Sequence, residues 1–207
     1  MSSQPPLPRH FCWSRFGTEA GETVEQILDR KEAERTRNNG AFYWGIGSSV
    51  GPGLVELLRR CSEPEVLFSP IKSRPRSEDV APALVVRWRS GTALDGAELE
   101  LPPSVCVTSR AGRLGVHGHH YALVCASAEP LSLSDQGRVH FGELRNLRSG
   151  SRLGSSQVTA VVSRVAQDQP GPQAAYVVAL RAGLVAPYFI RLQDPEPVAV
   201  EQTRFAA

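Results

Sequence analysis

The chain has 207 residues, 41% hydrophobic and 21% charged, the proportions of an ordinary globular protein long enough to bury a proper core. A net charge of +2 supplies no global basic field, so any nucleic-acid contact must come from a local patch. No apolar run approaches the ~18 residues of a membrane span, and the opening MSSQPPLPRH lacks the apolar centre and cleavage pattern of a signal peptide. Four scattered cysteines (Cys12, Cys61, Cys106, Cys125), with no C-x-x-C, read as reduced thiols of a cytoplasmic protein. Lysine occurs only at Lys31 and Lys72, so nearly all positive charge is arginine. Arginine suits phosphate forks and base stacking, although a GC-rich coding genome explains the bias equally well.

Residues 1–9 are rich in Pro and Ser and read as a loose arm before one α+β domain over 10–207. His10–Gly17 predicts a first strand, with Phe11 and Trp13 alternating against Cys12 and Ser14. Thr23-x-x-Gln26 is a capping-box pattern, and Asn38-Asn39-Gly40 is a stop, so a helix is expected from Val24 to about Arg37. Its mixed charges read as a solvated face.

Ala41–Leu58, AFYWGIGSSVGPGLVELL, organises the rest: an aromatic strand, a Gly/Ser turn, then a helix opening at Pro52. Strand, tight turn and helix N-terminus together aim free N–H groups and a helix dipole at one point. Gly47, Ser48 and Ser49 are therefore candidate phosphate ligands. The glycines serve a purely structural turn equally well. No Gly-Lys-Ser/Thr follows, and Gly45-x-Gly47-x-x-x-Gly51 is one residue too long for a dinucleotide fingerprint.

Glu65–Ser69 predicts another strand, ended by Pro70. The loop after it carries Lys72, Arg74 and Arg76; Lys72 and Arg74 are the candidate charges for a phosphate. Strands are expected at Ala83–Arg89, Val105–Ser109, Tyr121–Ala126, Gln157–Val165, Ala175–Arg181 and Tyr188–Leu192, and a short helix at Phe141–Leu147. β-rich segments with frequent turns, and helices in the first third, predict an α+β fold. Its architecture would be a mixed, mostly antiparallel β-barrel or strongly curved sheet with two to three helices.

Catalytic patterns are sparse. His117, His119 and His120 cluster without further ligands nearby, so no metal is expected. No G-x-S-x-G elbow occurs, and the acidic residues sit in turns and at strand ends. What remains is aromatic, small polar and Arg. Trp13, Tyr43, Trp44 and Phe68 are candidates for a base-stacking pocket, with Ser14 and Ser69 for its edge. The competing reading makes these aromatics plain core.

The order WSRFG, helix, aromatic strand, short helix, EVLFSPI and ALVVRW resembles the PUA-like superfamily, nearest to its EVE-type domains. Trp13 and Ser14 match that family's early Trp strand, and Val66 to Ser69 its later pocket strand. The resemblance covers residues 10–126; GIGSSVGP and the chain after Ala126 have no counterpart in it. It implies a small mixed barrel that binds RNA or a modified base, without a cofactor. Such bacterial domains often accompany defence nucleases or RNA-modification systems, which implies a protein partner such as a nuclease or modification enzyme.

The sequence thus points to a non-catalytic binder of DNA or RNA that reads a modified or extruded base, with no membrane partner. Two alternatives stand beside it. One is a nucleotide- or anion-handling enzyme using turn 45–51, with Glu65, His117, His119 or His120 as its ionisable group. The other is an interaction subunit without a ligand site, whose aromatics are all buried.

Overall fold

A computed structural model describes residues 6–17, 22–47, 49–71, 83–110, 120–130, 137–165 and 174–197. They form a mixed α+β structure rich in strands. It falls into two compact units, each assembled from separated segments: Met1–Phe16, Val50–Ile71 and Ala128–Leu184 in the first, Gly17–Ser49, Lys72–Ser127 and Val185–Ala207 in the second. Among the described residues no helix is long and apolar enough to cross a membrane.

In the first unit, strand β1 (His10–Phe16) is central. It runs parallel to β3 (Glu65–Pro70) and antiparallel to β10 (Thr159–Arg164). Beyond β3 lies the start of β12 (Leu180–Pro197), and beyond β10 lies β9 (Leu144–Asn146). A two-stranded ribbon pairs β8 (Arg138–His140) with β11 (Ala175–Val177). Both alternating faces of β1 are buried from Phe11 to Phe16. Each face of β1 has its own cover. Helix α2 (Gly51–Arg60) lies over the face holding Cys12 and Val161; a Cβ on Gly53 would meet the Val161 side chain at 3.0 Å. On the other face Phe11 and Trp13 pack with Leu67, Val139, Leu144, Val162 and Val178.

Burial on the α2 side has a measurable effect. Desolvation pushes the Cys12 thiol from 9.0 up to about 12. An unfolded Cys12 ionises near pH 9 while the folded one keeps its proton, so the folded state holds more protons between the two values. Stability is therefore intact below pH 9 and declines as pH rises towards 12, by at most about 1.4 kcal/mol per pH unit. Urea unfolding at pH 8 and pH 10 should show the decline, and Cys12→Ala should flatten it.

The second unit holds helix α1 (Val24–Arg37), β2 (Ala41–Ile46), β4 (Ala83–Ala93), β5 (Glu98–Glu100), β6 (Cys106–Arg110), most of β7 (Tyr121–Pro130) and the remainder of β12. β2 pairs antiparallel with β7, which neighbours β12. β12 pairs with β4, and β4 with β5 and β6, all antiparallel. α1 begins where the capping box predicts: Thr23 accepts from the Gln26 N–H at 3.3 Å, and the Gln26 side chain accepts from the Thr23 N–H at 2.9 Å. The core joins Val86, Trp88, Val107, Val124 and Ile190. Gly45 lets β2 approach this layer, since a Cβ there would lie 2.8 Å from that of Val107.

Two expectations are corrected. No closed barrel is found among the described residues; in the first unit the strand order β12–β3–β1–β10–β9 ends at the three-residue β9. The helix expected at Phe141–Leu147 is a 3-10 turn, Phe141–Glu143, followed by β9. Pairing with β10 wins over local helix propensity there, because it buries Leu144 in the core.

Candidate functional site

The residues expected to line a base pocket are mostly sealed. Trp13, Ser14, Phe68 and Ser69 lie in the first unit and none is more than 1% exposed. Their polar atoms are engaged with one another and with the sheet. Trp13 Nε1 donates to Ser69 Oγ at 3.0 Å, and the Ser14 and Thr159 hydroxyls share a hydrogen bond of 3.0 Å. Tyr43 and Trp44 belong to the second unit, where alternation along β2 buries Trp44 and leaves Tyr43 half-buried. Of the expected phosphate ligands, Gly47 and Ser49 are exposed, whereas Ser48, Lys72 and Arg74 lie outside the described residues. Gly47 does not have the positive φ that would demand glycine.

The ionisable candidates are placed as follows. Glu65 pairs with Arg181 at 2.8 Å. His120 lies against Trp88, ring centroids 4.7 Å apart. His117 and His119 are outside the described residues. Among the described residues no three His, Cys, Asp or Glu side chains gather as metal ligands.

On the Trp13 face of the first unit an arginine sits in an aromatic box. The Arg15 guanidinium lies 5.4 Å from the Trp13 ring centroid, 5.8 Å from Phe141 and 5.4 Å from Tyr176. It donates to Tyr176 Oη at 3.1 Å, to the Ser155 carbonyl at 2.9 Å and to the Gln157 carbonyl. With 7% exposure and no carboxylate beside it among the described residues, this cation is held by rings and backbone dipoles. It locks Phe141 and Tyr176 in place.

Phe141 also walls a cavity. About 230 Å³ in volume, it is lined by Phe141, Gly142, Leu144, Leu153 and Ala174, together with Arg145 and Arg152. An isolated antiparallel bridge sets Arg145 beside Arg152. Arg145 is half-buried and Arg152 exposed, and neither meets a carboxylate among the described residues. Two like charges at the rim of an apolar slot repel each other unless an anion joins them; such one-signed clefts concentrate anions.

No protein-family model, curated protein or solved structure matches this chain.

The geometry therefore stands on its own chemistry. Sequence reasoning missed this cavity and placed the basic patch at residues 72–76. One available signal was a tally of charge by segment. Residues 137–165 carry Arg138, Arg145, Arg148, Arg152 and Arg164 against Glu143 alone. Glu143 is taken up by Arg164 at 3.2 Å, which leaves Arg138, Arg148 and Arg152 as exposed cations on the same stretch.

Proposed function

We propose that the protein is a non-catalytic nucleic-acid-binding protein whose contact surface is the arginine-rich stretch 137–165, with the cavity beside Phe141 admitting one unpaired base. The observation that carries this reading is the pair of arginines, Arg145 and Arg152, which have no acidic partner among the described residues and line a mostly apolar cavity walled by an aromatic ring. Exposed arginines hold the backbone by charge, and an aromatic face offers stacking worth about 1–3 kcal/mol per base. At about 230 Å³ the slot is below the ~300–1,000 Å³ of sites that enclose whole small molecules. It suits a single flat base with its phosphates left outside. The PUA-like resemblance of residues 10–126 supports the same class of ligand, DNA or RNA, and a nuclease or modification enzyme as protein partner. In this reading the ligand surface comes from the chain after Ala126 rather than from the Trp13 and Phe68 strands.

The rival reading, an interaction subunit without a ligand site, is favoured by one observation: Trp13, Trp44 and Phe68 are all buried. Fluorescence anisotropy with labelled single- and double-stranded DNA and RNA at two salt concentrations separates the two. Three to four phosphates neutralised by arginine give a log–log salt slope of about −2 to −3 for a single strand. Reversing the charge of Arg148 and Arg152 together should weaken binding about tenfold or more. Absence of binding to every oligonucleotide at low salt would favour the subunit.

A further inference from the structure

Arg145 differs from the other arginines of this stretch in how it is held. Its Nη1 donates to the Gly142 carbonyl at 2.7 Å and to the Leu144 carbonyl at 2.9 Å. Those two bonds use both N–H groups of Nη1 and fix the plane of the guanidinium. Among the described residues nothing engages the Nε–H and Nη2 donors, which form one edge of the planar fork. A fixed arginine fork beside a mostly apolar cavity can read two adjacent acceptors. Two edges of unpaired bases present such a pair, O6 and N7 of guanine and N3 and O2 of cytosine; adenine sets an amino donor beside N7, and of the two candidates guanine brings the larger face to stack on Phe141. We infer that the cavity selects guanine in a single strand, with Arg145 as the specificity-determining residue, Phe141 as the stacking wall and Arg152 on the backbone phosphate.

The inference rests on the nucleic-acid reading above and can fail without it. The same fork would also fit a phosphate, so the test must tell base from backbone. Fluorescein-labelled oligothymidine with one central guanine, adenine, cytosine or 7-deazaguanine keeps length and charge constant; a ribose series repeats the comparison. Guanine should bind about tenfold tighter than adenine. 7-Deazaguanine, which lacks only the N7 acceptor, should lose most of that advantage. Arg145→Lys keeps the charge and removes the fork, so it should bind the guanine-centred and all-thymidine strands with equal affinity.

Equal affinity for all four centres, or a preference for cytosine, would overturn the inference and leave general binding intact. So would undiminished binding of 7-deazaguanine, which would assign the fork to a phosphate. A guanine preference that survives in Arg145→Lys would remove Arg145 from the role. If that variant fails to fold, judged by its urea midpoint, the 7-deazaguanine comparison on the unaltered protein still decides. Failure of every strand to bind would instead overturn the nucleic-acid reading itself.

Discussion

Replacing Glu34 with alanine is expected to destabilise the second unit by about 3–5 kcal/mol, the usual cost of stranding one partner of a buried ion pair. Lys31 and Glu34 touch at 2.6 Å with side chains 6% and 2% exposed. Glu34 also accepts the Tyr43 N–H at 2.9 Å, while Lys31 Nζ donates to the Cys106 carbonyl at 2.7 Å and to the Tyr43 carbonyl. The pair thus pins α1 to β2 and β6 at their backbone groups. Burial works against both charges, lowering the pKa of Lys31 and raising that of Glu34, and their contact offsets part of each shift. Without Glu34 that offset is lost, and Lys31 is driven further towards its neutral form. The folded variant then binds fewer protons than the unfolded chain, so its stability should rise with pH below the ordinary lysine value of 10.5. Urea titrations at pH 6 and pH 8, below the range in which Cys12 matters, read this directly. A stability loss under about 1 kcal/mol would mean that the pair contributes little. Lys31→Met combined with Glu34→Leu should lose less than Glu34→Ala, because no lone charge is left behind.

Trp13→Ala should cost the first unit about 3–5 kcal/mol, at the upper end of large-to-small core changes. The ring is 1% exposed and meets Tyr176 edge-on at 5.3 Å and Phe141 at 6.0 Å. Its removal opens a cavity, takes one of three rings from Arg15 and leaves the buried Ser69 hydroxyl without its donor. Trp13→Phe keeps a ring in place and should cost far less, with loss of the Ser69 bond worth about 1 kcal/mol. The contrast also separates core from pocket. A Trp13 that stacks on a base would lose oligonucleotide affinity on substitution by Phe, whereas a sealed Trp13 would lose stability and keep affinity. The burial of this ring predicts the second result.

Local signals in the sequence read well, and long-range ones did not. Thr23, Gln26 and Asn38–Gly40 mark α1 because caps are written in adjacent residues. The strand and the helix of 41–58 were legible for the same reason. The parallel pairing of β1 with β3 was not, since nothing in either segment names its partner. Nor was the aromatic box. Arg15 finds its carbonyls at Ser155 and Gln157 and its third ring at Tyr176, all far along the chain. Alternation in β1 sorts Phe11 and Trp13 from Cys12 and Ser14, but it does not say that both faces of this central strand are covered. The cavity stayed hidden because Arg145 and Arg152 meet only through a backbone bridge, and because FGELRNL has the spacing of a helix until Leu144 is claimed by the core.

The placement of β1 in the first unit also bears on how the protein is made. Trp13 must wait for Ala160, its neighbour in β10, to leave the ribosome. At about 5–20 residues per second that gap of roughly 150 residues lasts on the order of 10–30 s. For that time the nascent chain has β3 and α2 to set against Phe11, Trp13 and Phe16, while the β10 edge of β1 stays open. Folding from the front can therefore go no further than this partial sheet, and the yield of native protein depends on what shields its open edge until the late partner arrives.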